Sequence, residues 1–278
     1  MQYYRGRDVT QAKGHLRIDP GTLDLAKRAN RRALSEVADW ADPAALAASV
    51  GHYGILPETM ASMNRPLGEE TTISDILGSI IRSVPGEARY LEIGVSLGKT
   101  LWQVLHHRDD LRIFALEIED INPPLAARLR LFEAEPFAPG IPSIRTRDNL
   151  VARHVFPDNG NTLTYIAGSL FDDVVWAKLD GCRFDVVFSD AVHEGHAILE
   201  EWRQITDRRL LDQAGFTMVW DDLYSPEMRH AFDRIARDAI RRFGLQPRNV
   251  CFTHVCGWIG RNDPPHPVGI ISSHGFVA

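Results

Sequence analysis

The sequence predicts an open, doubly wound α/β sheet, mostly parallel, and three observations carry that reading. Five short apolar runs recur between residues 89 and 243, each ends near a glycine or an acid, and each is followed by a helical pattern. The runs are 89–94, 112–117, 163–168, 184–190 and 216–222, rich in β-branched and aromatic side chains. Near-continuous runs of this kind suit strands covered on both faces, as parallel strands are. Alternation of strand and helix then implies right-handed crossovers, with helices stacked on both sides of the sheet.

Taken in order, residues 1–70 stand outside the alternation as a helical N-terminal extension, and residues 71–278 form the main domain. Leu25, Ala26, Ala29 and Ala33 make one helical stripe, and the chain turns irregular through 51–57 and 64–68. The first strand, 89–94, runs into a glycine loop that opens a helix. The second, 112–117, is followed by an insertion at about 121–162, longer than a one-helix crossover. Pro123, Pro124, Pro136, Pro139 and Pro142 break that insertion into a helix and a loop. Both irregular regions read either as packing extensions or as a cap over the strand carboxyl ends, where open α/β sheets bind ligands. Ile198, Trp202 and Ile205 recur at i, i+4 and i+7, one face of a helix after the fourth strand. A last helix at about 226–243 leads to 250–259 and 268–272, which can add strands at one edge.

Composition narrows the class further. A chain of 278 residues buries a sufficient core without disulfides. Its 44% hydrophobic and 24% charged content is that of an ordinary globular protein, and its net charge of −6 argues against nucleic acid or an anionic membrane as partner. No window approaches the ~18 apolar residues of a membrane span, and the polar start of the sequence is unlike a secretory signal. Cys182, Cys251 and Cys256 cannot all pair and lack zinc-finger spacing. A reduced, cytoplasmic setting is expected, with self-association into a homo-oligomer left open. The scattered tryptophans read as packing. Tyr53, Met60 and Met63 could line a cap.

Glu92-Ile-Gly94-Val-Ser96-Leu-Gly98-Lys-Thr100 follows the first strand. A dinucleotide fingerprint would want glycine where Ser96 and Lys99 stand. A P-loop needs four residues between the first glycine and Gly-Lys-Thr, and Gly94 to Gly98 leaves three. The pattern Glu-x-Gly-x-x-x-Gly, followed by Glu117 at the end of the second strand, resembles class I S-adenosylmethionine-dependent methyltransferases, whose fold is Rossmann-like. That resemblance implies S-adenosylmethionine as cofactor and a binding set of Glu92, Gly94, Ser96, Gly98, Glu117, Ser169 and Asp190. The cofactor's cationic sulfonium and amine suit acids, and a carboxylate at Glu117 can accept ribose hydroxyl hydrogens. Ser96 stands where the family often has a third glycine, and Ser169 where it often has an acid.

Asp190 ends the fourth run and Asp221-Asp222 the fifth. Neighbouring strands about 4.8 Å apart would bring these carboxylates into one crevice, where mutual repulsion raises their pKa values unless a cation sits among them. Hard oxygen ligands suit Mg²⁺ or another divalent cation. Ser189-Asp190-Ala-Val-His193-Glu-Gly-His196, with Glu200, is similar to the Asp-x-x-His stretch of sugar and macrolide O-methyltransferases, and to the Asp-x-x-Lys arrangement of catechol-type enzymes. The likeness spans about residues 70–260. It implies a metal held by Asp190, Asp221 and Asp222, with substrate oxygens completing the shell. The expected activity is O-methylation of a hydroxylated small molecule, a sugar moiety or catechol-like group, as in natural-product biosynthesis. His193 is placed to take the hydroxyl proton as general base, with His196 a neighbour; the plainer role for His193 is a helix-cap residue beside Asp190. Two other functions stay open: a P-loop-like nucleotide hydrolase using Gly94–Thr100, and a catalytically silent cofactor-binding subunit.

Overall fold

The computed structural model describes residues 17–36, 69–139, 148–256 and 265–276. Its centre is a sheet of nine strands: β1 (Ala88–Ile93), β2 (Leu111–Glu117), β3 (Arg130–Pro139), β4 (Asp148–Val155), β5 (Thr162–Ala167), β6 (Val186–Ser189), β7 (Thr217–Trp220), β8 (Val250–Val255) and β9 (His266–Ser272). They lie in the order β3-β4-β5-β2-β1-β6-β7-β9-β8. The five strands β5-β2-β1-β6-β7 are parallel, and β4, β3, β9 and β8 extend both edges by antiparallel pairing. The doubly wound fold expected from the alternation is therefore present. Each of the five apolar runs is a strand, and the last two segments do build the far edge.

Alternate residues of each strand supply the two faces of the core. Tyr90, Ile113, Tyr165, Val186 and Ile270 meet one set of helices, whereas Leu91, Ile166, Val187, Met218 and Ile271 meet the other. The first face is covered by α1 (Pro20–Ser35), α2 (Ile73–Ser83) and α3 (Lys99–Leu105). The second carries α5 (Asp173–Trp176), α6 (Gly195–Asp207) and α7 (Pro226–Phe243), while the one-turn α4 (Pro123–Ala126) sends Leu125 into the first. Ile198, Trp202 and Ile205 of α6 are all buried, as their spacing predicts.

The described part of the N-terminal extension is a helix docked on the main domain. Asp19 caps α1 by accepting the Thr22 N–H, and Pro20 needs no hydrogen bond at the first helical position. Asp75, buried in the capping box that starts α2, accepts from Asn30 Nδ2 at 2.8 Å and Arg31 Nη1 at 2.7 Å. Trp102 donates its indole N–H to the Ala33 carbonyl. The irregular stretches 51–57 and 64–68, with Tyr53, Met60 and Met63, lie outside the described residues, as does any cap they would form.

The insertion corrects the helix-and-loop expectation. After α4 it forms a β-hairpin, β3 and β4, that lengthens the sheet by two antiparallel strands; residues 140–147 between them lie outside the described residues. Pro136 and Pro139 sit on β3, the outermost strand, where no further strand requires their missing N–H, and Pro123 and Pro124 open α4. Pro136 lies beside a register shift between Pro136 and Ala138, another place where a ladder bond is dispensable.

Candidate active site at the strand carboxyl ends

The chain runs from β1 to β2 on one side and returns through β6 on the other, so a crevice opens beyond the carboxyl ends of β1 and β6, where such sheets bind ligands. Three backbone bonds carry the parallel ladder just past the strands: Gly94 N to Leu116 O, Asp190 N to Ile93 O and Asp221 N to Ser189 O, at 2.8–3.0 Å. The strand ladder itself thus fixes the glycine loop and both acids at the mouth. Two adjoining clefts lie there. One of about 240 Å³ is lined by Gly94, Ser96, Glu117, Ser169, Phe171 and Asp190 among others. The second, about 250 Å³, shares Gly94, Ser96 and Asp190 and adds Glu92, Lys99 and His193.

Six of the seven residues expected to bind the cofactor line these clefts. Gly98 does not. It starts α3 in the left-handed region at φ 77°, and a Cβ there would stand 2.6 Å from Leu125 Cδ2, so its role is to let the helix begin against α4. Gly94 is different. Its φ is 85°, and a Cβ would approach the Asp190 carbonyl oxygen to 2.4 Å, a backbone atom that cannot swing aside. Gly94→Ala is expected to displace the 94–98 loop and to destabilise the fold by ~1–2 kcal/mol or more, from left-handed strain alone. Denaturant unfolding of the variant beside the wild type checks this.

Glu117 defines the loop's chemistry. Its Oε2 accepts the backbone N–H groups of Val95 (2.6 Å) and Ser96 (2.8 Å), and its Oε1 accepts that of Ile118 (2.8 Å). Of about four lone-pair positions on a carboxylate, three are filled and about one remains. The amides that a P-loop would present to phosphate are here committed to a side chain of the same protein. Glu92 is buried and accepts the Tyr90 hydroxyl at 2.7 Å, with burial pushing its carboxyl well above the usual range. Ser169 is occupied locally, its Oγ accepting the Phe171 N–H.

Beyond β6 and β7 the three aspartates alternate with two histidines. His193 Nε2 stands 3.3 Å from Asp190 Oδ1 and its Nδ1 3.4 Å from Asp222 Oδ2. His266, on β9, places Nδ1 2.8 Å from Asp222 Oδ1 and 3.2 Å from Asp221 Oδ2. Among the described residues, the ligand-capable groups within 4.8 Å of one another are Asp190–His193–Asp222 and Asp221–Asp222–His266. The three carboxylates expected to share one metal are thus brought together in two overlapping sets joined at Asp222, each with an imidazole. Asp222 itself takes a left-handed φ of 57°.

Loss of water raises the pKa of Asp190; His193 opposes the rise, while Asp221 and Asp222 add to it. Burial likewise raises that of Asp221, against the pull of His266. The hydrogen bond to Asp190 holds His193 above its ordinary 6.5, with burial opposing. Sequence reasoning missed Glu119 and Phe171, which line the first cleft, His266, which lies against Asp221 and Asp222, and Glu201, buried on α6, where it accepts the Ser189 hydroxyl at 2.6 Å. His196 lies against Phe171, rings stacked at 5.4 Å, near the site but outside the acid cluster.

Several solved structures are similar to this chain. The O-methyltransferase TomG from Streptomyces achromogenes, involved in tomaymycin synthesis and solved with SAM, aligns over 86% of this chain and 88% of its own, at 15% identity and a TM-score of 0.47. The CurJ carbon methyltransferase aligns over 87% and 70%, at 12% identity and a TM-score of 0.46. A spermidine synthase in complex with the transition-state analogue AdoDATO aligns over 72% and 58%, at 14% identity and a TM-score of 0.42. No protein-family profile and no curated protein sequence matches the chain. No helix among the described residues is long and apolar enough to cross a membrane.

Proposed function

We propose that this chain is an S-adenosylmethionine-dependent O-methyltransferase acting on a hydroxylated small molecule, with a divalent metal held at the Asp190, Asp221 and Asp222 cluster. The observation that carries this reading is Glu117. A loop whose amides already cap a carboxylate is poorly disposed to a polyphosphate, which weighs against the P-loop hydrolase. It is well disposed to a ligand bearing hydroxyls and positive charge. Glu117, Glu119 and Asp190 line the two clefts against one lysine, Lys99, and such a field favours a cation. At its remaining lone-pair position Glu117 accepts one ribose hydroxyl; pairing the second requires the Val95 or Ser96 N–H to yield.

When bound, S-adenosylmethionine supplies an electrophilic methyl group. The donor set fits a divalent ion, because ligand atoms converge and Asp222 Oδ1 is buried without a well-directed hydrogen bond; such an ion supplies Lewis acidity toward an acceptor oxygen. His193 receives the acceptor's hydroxyl proton on its ring, and the imidazolium is then held between Asp190 Oδ1 and Asp222 Oδ2. With its side chain 47% exposed at the cleft, His193 is reachable by substrate. Alcohols with adjacent oxygens, sugar moieties or catechol-like groups, are the acceptors the acid cluster suits, because two oxygens can meet one ion. Intact acids and a placed base also weigh against a silent cofactor-binding subunit.

Calorimetric titration with S-adenosylhomocysteine, with ATP–Mg²⁺ as comparison, tests the reading. Affinity near ~1 μM, about −8 kcal/mol, for the first and none for the second is the expected outcome. Binding of ATP alone would overturn it, together with the roles given to Glu117 and His193.

A further inference from the structure

We propose that His266 is a nitrogen ligand of this metal site, and that the site therefore selects a borderline transition ion, of the Mn²⁺, Fe²⁺, Co²⁺ or Zn²⁺ class, over Mg²⁺. The inference rests on the divalent metal of the preceding reading and deepens it. His266 enters from β9, which pairs antiparallel with β7 so that Trp220 stands opposite Gly269; past the strand end, one residue out of that register, Leu223 N donates to Pro267 O at 2.9 Å. That pairing carries the ring over Asp221-Asp222, with only 9% of its side chain exposed.

One nitrogen of His266, Nδ1, faces both acids, at 2.8 Å from Asp222 Oδ1 and 3.2 and 3.3 Å from the two oxygens of Asp221. A single N–H cannot point along three such lines. Asp222 Oδ1, despite the 2.8 Å separation, receives no well-directed hydrogen bond and is buried. The ring nitrogen is directed at the two Asp221 oxygens, and at Asp222 the short spacing without alignment is of the kind that ligands of a shared ion show. Two donors each about 2.0–2.2 Å from one ion stand roughly 2.9–3.5 Å apart at octahedral or tetrahedral angles, close to the spacings seen here. Imidazole suits Zn²⁺, Fe²⁺ and Co²⁺, whereas Mg²⁺ demands an oxygen octahedron and retains its waters. Within the expected class, Mg²⁺ or another divalent cation, the imidazole favours the second. On the other side of Asp222, His193 lies at 3.4 Å from Oδ2, so one imidazole serves the ion while the other stays at the cleft as base.

The test is metal binding to the chelator-stripped full chain, followed by calorimetry with Co²⁺, Zn²⁺ and Mg²⁺ and by the visible absorption of the Co²⁺ form. The wild type is expected to bind Co²⁺ at least about tenfold tighter than Mg²⁺. His266→Gln, which keeps polarity and much of the volume, should lose about tenfold or more of Co²⁺ affinity and shift the cobalt bands. Asp222→Asn provides a second variant should the first fail to fold. Equal Mg²⁺ and Co²⁺ affinity, a variant with unchanged cobalt affinity and spectrum, or no divalent binding at all would each overturn the inference. S-adenosylhomocysteine titration of the same samples separates its failure from that of the methyltransferase reading, since cofactor binding can persist when the metal assignment falls.

Discussion

His193→Ala is expected to lower kcat by roughly 10²–10⁴ while leaving S-adenosylhomocysteine affinity within about twofold. The separation follows from position. His193 lies between Asp190 and Asp222, whereas Glu117, to which the proposed reading gives the cofactor's ribose, stands at the end of β2 with its carboxylate on the Val95 and Ser96 amides. A capping role would predict a different result, a loss of stability. The N-cap of α6, however, is Glu194, with no side-chain capping bond, and His193 is half exposed, so little packing depends on it. The wild-type pH profile carries a second signature. Because Asp190 holds the His193 pKa above 6.5, the free base, which is the active form, fills only as pH rises beyond that value. In metal-free protein the His193 imidazole, followed by NMR, should therefore titrate above 6.5, in a signal the alanine variant lacks. An unchanged kcat in the variant, or a midpoint at or below 6.5, would remove the base assignment.

Elements governed by local pattern were legible in the sequence. β2 begins one residue before its apolar run, and α7 occupies the 226–243 anticipated from its pattern, because Ser225 caps it and Gly244 closes it in the left-handed region. Asp190 and Asp221 were placed on neighbouring strands by the order of elements alone. Features that depend on pairing between distant segments were not legible. The β3–β4 hairpin hides behind prolines that only an edge strand tolerates, and edge status is a property of the whole sheet. His266 precedes the 268–272 run from which a strand was expected, and only the β7–β9 register carries it to Asp221 and Asp222. Glu201 did carry a signal that was overlooked. It stands three residues after Ile198 and four before Ile205, on the apolar stripe itself, so an acid there had to be buried.

Glu201→Gln is expected to flatten the pH dependence of stability and to leave the protein more stable than the wild type above neutrality. Glu201 is fully buried on α6 beneath β6 and β7, and loss of water pushes its carboxyl up to about 8. The Ser189 hydroxyl and the Trp220 indole, the latter near it without strict hydrogen-bond geometry, pull the other way and lose. Between the ordinary 4.5 and about 8, the folded chain keeps a proton on Glu201 that the unfolded chain has released. Stability is therefore full below 4.5 and declines as pH rises toward 8, at up to about 1.4 kcal/mol per unit, with an upper bound of ~5 kcal/mol over the window. Glutamine resembles the protonated acid: its amide can donate toward Ser189 Oγ and its carbonyl can face the Trp220 N–H. At pH 5.5 the two proteins should accordingly show the closer denaturation midpoints. At pH 8.5 the wild type should unfold at a lower denaturant concentration than the variant. Other raised acids such as Glu92 and Asp190 tilt both curves alike, so the difference between the curves isolates Glu201. Parallel curves across pH 5.5–8.5 would mean that Glu201 ionises in the fold without penalty, and that the ground beneath the aspartate cluster is wetter than its burial implies.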